Sequence, residues 1–226
     1  IVDSYTRTAM IGGQTKTPTM SVRFEGQEDF VGGAGVVAKH LKAAGANVTF
    51  STVLGNDKWA EFVLQDLAKA GVEAEAIADP TRPTTNKNAI VCGGYRLLKV
   101  DTLDNRTISD RIQGQLVNQI GSIKAQCVMF CDFRHGIFNR ETIPRFTAAM
   151  PANVFRVADS QVASRWGNIC DFQGFDMITP NEREARFALG DQDSVVRPLA
   201  QKLYERANCR NLILKLGERG LIAYRK

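Results

Sequence analysis

Asn181 and Glu184 stand three positions apart at the predicted beginning of a helix. That spacing places both side chains on one face of the first helical turn. An amide and a carboxylate in this arrangement can hold a hydrated Mg²⁺ ion together with a phosphate group. The same two residues can also be a helix cap, in which the helix dipole favours Glu184. Both interpretations stay open at this point.

A glycine pair, Gly32 and Gly33, begins another helical pattern. The unpaired N–H groups at a helix N-terminus attract polar and anionic ligands. Because glycine has no side chain, a ligand can approach the backbone closely here. The alternative is a tight loop that leads into a packing helix, and the two interpretations are evenly balanced.

Three predicted strands end in polar residues. The first ends at Asp132, the second at Asp159 and the third at the run 179–182. Ligands bind beyond the carboxyl ends of the strands in an open parallel sheet. We therefore expect these residues to line one edge of the sheet, although each Asp alone is also an ordinary turn or capping residue.

A short G-x-x-G pattern, with glycines at 217 and 220, follows a predicted strand that ends near Lys215. The two glycines permit a tight reversal into a last strand over 221–224. As a turn the pattern needs no function. As part of a site, Gly217 would let a nucleotide approach the backbone.

The elements that must position these residues alternate between strand and helix from Ser109 onward, which predicts a doubly wound α/β sheet. Asp57 and Ser109 are predicted N-caps. The apolar run 127–131 is typical of a buried parallel strand. Gly93 and Gly94 separate two strand patterns and predict a hairpin, which we place with the N-terminal strands in a small separate sheet.

The composition is that of an ordinary globular protein, with 226 residues, 44% hydrophobic and 23% charged. The net charge of +5 is dispersed, which favours a solvated basic surface and small anionic ligands over nucleic acid. No apolar run approaches the ~20 residues of a membrane span. Five cysteines without a C-x-x-C pair argue against a disulfide framework or a zinc site and predict a reducing, cytoplasmic location.

The order of these motifs resembles that of the ribokinase-like, PfkB-type carbohydrate kinases. The matching pieces are Gly32-Gly33-Ala34-Gly35, Leu54-Gly55-Asn56-Asp57, Thr179-Pro180-Asn181-Glu182-Arg183-Glu184 and Lys215-x-Gly217-x-x-Gly220. Within that family the chain is most similar to the kinase module of ADP-heptose synthesis. The further matching pieces are a first strand ending in Asp3, Pro83-Thr84-Thr85-Asn86-Lys87 and Asp132-Phe133-x-x-Gly136.

The resemblance implies a Rossmann-like, ribokinase-type three-layer sandwich with a small β-sheet lid. It implies a single kinase domain over 1–226, incomplete at its C-terminus, with lid strands within roughly 4–31 and 84–101. The lid would close over the sugar and pair with a second subunit in a homodimer.

The activity that the resemblance implies is ATP-dependent phosphorylation of a hydroxyl group on a sugar or sugar phosphate, with heptose phosphate as the candidate. ATP and Mg²⁺ are the implied cofactors, and neither nucleic acid nor a membrane is a partner. The implied substrate-binding residues are Asp3, Gly32, Gly33, Lys87 and Asp132.

The same resemblance places the nucleotide at the other set of motifs. The implied nucleotide-binding residues are Asn181, Glu184, Lys215, Gly217 and Gly220, and Glu184 is also the implied metal residue, acting through water.

Two departures from the family pattern bear on function. Val36 stands where many relatives carry an Asn that hydrogen-bonds the sugar. The Gly-Ala-Gly-Asp element that holds the catalytic base would follow the last strand, and we expect it beyond Lys226. The 226-residue chain is therefore expected to transfer phosphate negligibly. The alternatives are a kinase-like module that binds a ligand or partner without transfer, and a nucleoside kinase of the same superfamily.

Overall fold

The computed structural model describes residues 1–13, 19–161 and 167–225. The chain divides into two compact units, Ile1–Asp104 and Asn105–Lys226. The elements of the first unit, in chain order, are β1 (Val2–Gly13), β2 (Met20–Val31), α1 (Ala34–Ala43), β3 (Thr49–Leu54), α2 (Lys58–Lys69), β4 (Glu73–Ala78), β5 (Asn86–Cys92) and β6 (Tyr95–Thr102).

Among the described residues of this unit, four strands form one sheet in the order β2-β1-β5-β6. β1 runs parallel to β5, whereas β2 and β6 are antiparallel to their neighbours. Gly93 and Gly94 connect β5 to β6 with φ angles of 55° and 84°, a backbone that glycine adopts readily. The predicted hairpin, and its place in a sheet with the N-terminal strands, are confirmed.

A second layer of the first unit packs β3, parallel to β4, with the helices α1 and α2. The helices form because apolar residues recur at helical spacing and bury one face of each helix. The buried core consists of Val2, Val31, Ala38, Leu54, Ala60, Val63, Leu67 and Val72.

Asp57 joins the two layers of this unit. Its Oδ1 accepts hydrogen bonds from the backbone N–H groups of Trp59 (3.1 Å) and Ala60 (3.0 Å), so the predicted N-cap of α2 is confirmed. Its Oδ2 accepts the N–H of Thr84 at 2.8 Å, immediately before β5. The Thr84 hydroxyl in turn accepts the N–H of Gly55 at 2.9 Å. One carboxylate therefore fixes both the start of a helix and the approach to β5.

The second unit contains α3 (Asp110–Ser122), β7 (Cys127–Asp132), α4 (Thr142–Ala149), β8 (Phe155–Ser160), β9 (Met177–Ile178), α5 (Glu182–Leu189), α6 (Val196–Ala207), β10 (Asn211–Lys215) and β11 (Leu221–Tyr224). Its described strands form one sheet in the order β11-β10-β9-β8-β7. The strands β7 to β10 are parallel, and β11 is antiparallel to β10. The predicted α/β fold with a parallel sheet is confirmed, as is the reversal between the last two strands.

Aromatic rings fill the centre of this second unit. Phe130 on β7 packs against Phe138, Phe172 and Phe175, with ring centroids 4.9 to 6.4 Å apart. Phe138 also meets Phe146 of α4 edge to face at 6.1 Å. Such offset and edge-to-face pairs add to the stabilisation from apolar burial.

The prediction that the run 127–131 is buried on both faces is wrong. Only Val128 and Phe130 of this run are buried, whereas Cys127 is exposed and Met129 is 36% exposed. Within the described residues β7 is the edge strand of its sheet, and only one of its faces packs on the aromatic core. An unbroken apolar run can therefore form a strand in which buried and exposed residues alternate.

We expect Asp57→Ala to lower the free energy of unfolding by about 2 kcal/mol at pH 7, since it removes a helix cap and the bond to Thr84. Hydrogen bonds from Thr84 and Ala60 outweigh burial and lower the pKa of Asp57. The contribution is thus present above the ordinary aspartate pKa and is lost as the pH falls through the lowered value. Urea unfolding over a pH series measures both effects.

Ser109→Ala is the matched control, because Ser109 only caps α3. We expect this variant to lose about 1 kcal/mol. Equal losses in the two variants would contradict the joining role of Asp57.

Candidate functional site

Asp3 lies near the beginning of β1, since that strand continues to Gly13. The expectation that the first strand ends at Asp3 is therefore wrong, because β1 runs on into the four-stranded sheet. Asp3 is paired across the sheet with Phe30 on β2 and with Lys87 on β5. Cross-strand partners share a face of a sheet, so the two predicted substrate residues Asp3 and Lys87 are brought together.

Gly32 is required by the position of the Asp3 carboxylate. A Cβ atom at Gly32 would lie 1.9 Å from Oδ2 and 2.8 Å from Cγ of Asp3, so the Asp3 carboxylate would have to shift if position 32 carried a side chain. Gly33 adopts φ 56° and is the N-cap of α1, where no side chain caps the helix. The predicted glycine pair thus seats a carboxylate against the backbone at the beginning of α1.

Lys87 is a partly buried cation, and it makes no ion pair with any residue in the described part of the chain. Burial lowers the pKa of Lys87, and the positive charge of Lys99 lowers it further, whereas Asp3 and Asp101 act in the opposite direction. Lys99 itself pairs with Asp101 at 3.6 Å. Lys87 is therefore a positive charge without a close counter-ion, which suits it to an anionic ligand.

Asp132 is buried in a network of its own. Its Oδ1 accepts the backbone N–H of Arg134 at 2.8 Å, and its Oδ2 accepts the Ser160 hydroxyl at 3.1 Å. The Arg134 guanidinium lies 3.1 Å from the same carboxylate, although burial still raises the pKa of Asp132. Arg134 has φ 62°, an uncommon backbone conformation for a residue with a side chain. Sequence reasoning found Asp132 but missed Arg134 and Ser160.

The carboxyl ends of β7, β8 and β9 lie at one edge of the parallel sheet, as the strand-end pattern predicted, and the end of β10 lies beside that of β9. Asp159 accepts a hydrogen bond from the Thr179 hydroxyl at 2.8 Å. Lys215 Nζ lies 2.9 Å from the same Asp159 oxygen. Asp159 was expected at this edge but was not among the predicted site residues, and its ion pair with Lys215 could not be foreseen from spacing.

Asn181 and Glu184 form a capping box at the start of α5. The Glu184 N–H donates to Asn181 Oδ1 at 2.8 Å, and the Asn181 N–H donates to Glu184 Oε2 at 2.7 Å. Glu184 is only 8% exposed. Burial and the negative charge of Asp159 raise the pKa of Glu184, against the effects of the Asn181 N–H and of Lys215. The cap interpretation is confirmed. The cap also places Glu184 where the charges of Asp159 and Lys215 act on it.

The G-x-x-G turn closes as predicted. Gly217 and Gly220 have φ angles of 64° and 85°, and the space where a side chain would stand is open at both. The N–H of Leu216 donates to the Gly220 carbonyl at 2.8 Å. Glu182 on α5 contacts Arg219 within this turn. Both glycines are needed by the backbone, and the turn is attached to the helix that carries Glu184.

In the described part of the chain, no group of three or more His, Cys, Asp or Glu side chains is arranged to hold a metal ion. None of the helices described is long and apolar enough to span a bilayer.

The polar residues around Asp3 in the first unit and those at the strand ends of the second unit belong to a chain that matches a known family along most of its length. The sequence model of the family described as "pfkB family carbohydrate kinase" matches residues 8–226. The chain therefore belongs to the pfkB family of carbohydrate kinases.

Curated relatives agree with this assignment. The bifunctional protein HldE of Bradyrhizobium sp. (strain ORS 278) is 26% identical over 225 residues, which cover 96% of this chain and 45% of the relative. The bifunctional protein HldE of Desulfatibacillum aliphaticivorans is 27% identical over 218 residues, covering 92% and 43%. The chain spans less than half the length of these relatives.

Solved structures show the same fold. Phosphofructokinase-2 from Escherichia coli, in complex with fructose-6-phosphate, has a TM-score of 0.75 at 16% identity, covering 99% of this chain and 74% of that one. A carbohydrate kinase from Agrobacterium tumefaciens has a TM-score of 0.72 at 17% identity, covering 99% and 70%. The predicted ribokinase-like fold is confirmed.

Substitutions of the two acidic residues in the first turn of α5, Glu182 and Glu184, should change the pH dependence of stability in opposite directions. Because the pKa of Glu184 is raised, its ionisation opposes folding, and stability falls as the pH rises through that pKa. Glu184→Gln keeps an acceptor for the capping box, so we expect this variant to gain stability relative to the wild type as the pH rises from 4 to 7.

Glu182→Gln is the matched control. The hydrogen bond from Arg186, with the charge of Arg219, lowers the pKa of Glu182. This variant should therefore lose stability relative to the wild type above that pKa, and the loss should disappear in acid. Chemical unfolding at each pH measures both differences, and a common sign for the two variants would contradict the raised pKa of Glu184.

Proposed function

We propose that the complete protein catalyses ATP-dependent phosphorylation of a hydroxyl group on a sugar phosphate of the heptose class. The family assignment supports a carbohydrate kinase. The motif resemblance to the kinase module of ADP-heptose synthesis, together with relatives named HldE, supports the finer choice of substrate. We place the activity in the cytoplasm, where ATP is available and thiols stay reduced.

The sugar binds at Asp3 and at the glycine pair. A carboxylate is an acceptor for several hydroxyl groups, and the Asp3 carboxylate lies close to the backbone of Gly32. Gly33 and the free N–H groups at the start of α1 supply donors beside it. Together they offer a polyhydroxylated ligand both hydrogen-bond acceptors and hydrogen-bond donors.

The environment of Lys87 is the observation that supports a phosphorylated sugar as the substrate. It is partly buried, lacks an ion-pair partner among the described residues and is the cross-strand neighbour of Asp3. A phosphate group on the sugar supplies the missing negative charge. A sugar without phosphate would leave this ammonium group with only the more distant charges of Asp3 and Asp101 to offset it.

ATP binds by its phosphates at the strand ends of the second unit. Lys215 presents its ammonium group beside Asp159, and the turn at Gly217 and Gly220 leaves open space above the backbone. The first turn of α5, capped by Asn181, adds the positive end of a helix dipole. These groups orient the phosphates and offset their charge.

The residues at this edge fit Mg²⁺ held through water. Glu184 and Asp159 are carboxylates that interact electrostatically, and Asn181 adds an amide oxygen, which are the donor types that Mg²⁺ prefers. When bound, Mg²⁺ neutralises charge on the phosphate oxygens. Asp132 acts differently in this proposal, because its buried carboxylate holds the Arg134 loop at the end of β7 rather than a ligand.

The test is a coupled kinase assay of the complete protein with ATP and a panel of sugars and sugar phosphates. We expect turnover of heptose 7-phosphate, and we expect Lys87→Met to raise KM for this substrate about 10- to 100-fold with KM for ATP unchanged. Lys215→Met should instead raise KM for ATP. These shifts follow from the loss of one charge-assisted hydrogen bond in each case.

Lys99→Met is the matched control, because Lys99 is a neighbouring lysine that already has a partner in Asp101. It should leave KM for the sugar phosphate within about twofold of the wild type. Turnover of adenosine without turnover of any sugar phosphate would identify a nucleoside kinase instead. Binding of nucleotide without any turnover would identify a binding module.

The same proposal includes a homodimer formed through the four-stranded sheet. Strand register places Phe24 (64% exposed) and Leu98 (51% exposed) on the face opposite to Asp3. Exposed apolar residues that share one face are typical of a protein interface. A related solved structure is described as the tetrameric inhibited form of phosphofructokinase-2 from Escherichia coli.

We expect Leu98→Asp to convert the dimer to a monomer in sedimentation velocity experiments, because a carboxylate would be buried without a partner. Val195→Asp is the control, since Val195 is an exposed apolar residue of the second unit. A wild-type chain that sediments as a monomer at all concentrations would contradict the dimer.

A further inference from the structure

Tyr5 and Phe30 form an aromatic pair on the face of the sheet that carries Asp3. Phe30 is the direct cross-strand partner of Asp3, and Tyr5 lies two residues further along β1. Residues two apart on a strand, and partners across two strands, point to the same side of a sheet. Asp3 therefore has Phe30 on one side, Lys87 on the other, and Tyr5 next along its own strand.

The two rings are packed together and yet exposed. Their centroids are 6.0 Å apart at an interplanar angle of 73°, an edge-to-face contact. Phe30 is 53% exposed and Tyr5 is 39% exposed. Beside Tyr5 lies the exposed ion pair of Arg7 and Glu28, at 2.8 Å. The result is an exposed apolar patch with a charged border, which is typical of a ligand surface rather than of a core.

The chemistry of this patch fits one face of a sugar ring. An aromatic face carries partial negative charge and attracts the weakly positive C–H groups on the apolar face of a pyranose. A ring lying on Phe30 and Tyr5 keeps its hydroxyl groups at the border, where the Asp3 carboxylate can accept from them. The edge-to-face geometry forms an angled surface. A flat nucleobase would instead fit a gap between two parallel rings.

We propose that Tyr5 and Phe30 form a stacking platform that makes the site specific for sugars in the pyranose form. The inference rests on the proposed function, and it adds a selection for the ring that neither the family nor the polar residues provide. Lys87 binds the phosphate, Asp3 binds hydroxyl groups, and the aromatic pair recognises the C–H face of the ring. An open-chain sugar alcohol with the same phosphate lacks that face.

The experiment measures binding to the complete protein by isothermal titration calorimetry. The two probes are heptose 7-phosphate and the heptitol 7-phosphate obtained from it by reduction. The wild type should bind the ring sugar more tightly. Tyr5→Ala and Phe30→Ala should each weaken binding of heptose 7-phosphate about 3- to 10-fold and leave binding of the heptitol unchanged. The double variant should lose less than the product of the single losses, because the rings support each other.

Phe155→Ala is the matched control, since Phe155 is an exposed phenylalanine (40%) at the start of β8 in the second unit. It should leave both affinities unchanged. Phe30→Leu, which keeps apolar volume without a ring, separates stacking from simple burial and should behave like Phe30→Ala. Thermal melting of every variant should stay close to that of the wild type, because both rings are exposed.

Different failures have different meanings. Wild-type binding of both probes with unchanged affinities in the Tyr5 and Phe30 variants would reject the platform and leave the kinase proposal standing. With adenosine as a third probe, weaker adenosine binding by the Tyr5 and Phe30 variants together with unchanged binding of heptose 7-phosphate would also reject the platform. A wild type that binds neither probe would overturn the heptose proposal together with this inference.

Discussion

The pairing of β1 with β2 on one side and with β5 on the other is the constraint on which the arrangement of the first unit depends, and it leaves the Asp3 carboxylate in the volume that a side chain at position 32 would fill. The Asp3 carboxylate therefore lies beside the loop that leads into α1. Because β1 is paired with β2 on one side and β5 on the other, Phe30 and Lys87 are fixed relative to the same carboxylate. A side chain at position 32 would displace the Asp3 carboxylate, whereas the strand pairing would keep Phe30 and Lys87 in register with residue 3.

Local patterns in the sequence predicted local structure well. The caps at Asp57 and Ser109, the Gly93-Gly94 hairpin and the turn at Gly217 all depend on residues close in the chain, and each is present. The meeting of strand ends was also predictable, because parallel strands place their carboxyl ends at the same edge. These rules place residues on elements, and they do so without knowledge of packing.

Contacts between distant residues could not be predicted in this way. The fit of Asp3 against Gly32, the bond from Thr84 to Asp57 and the ion pair of Lys215 with Asp159 join residues 27 to 56 positions apart. Hydrophobic pattern reports whether a residue is apolar, and not which neighbour covers it, so the exposure of Cys127 was missed. The same limit hid the aromatic pair, whose exposure is what distinguishes it from a core.

The charges at the strand ends of the second unit favour joint binding of metal and nucleotide in the proposed kinase. Asp159 and Glu184 are two carboxylates, and Lys215 is a cation that interacts with both of them. Burial is the main cause of the raised pKa of Glu184, and the surplus negative charge of Asp159 adds to it. ATP phosphates alone would increase the surplus, whereas a divalent cation removes it. The capping box does not prevent this, because a carboxylate has more lone pairs than the one that Asn181 uses. In the proposed kinase the cap would hold Glu184 near the phosphates, and we expect metal and nucleotide to bind this edge together.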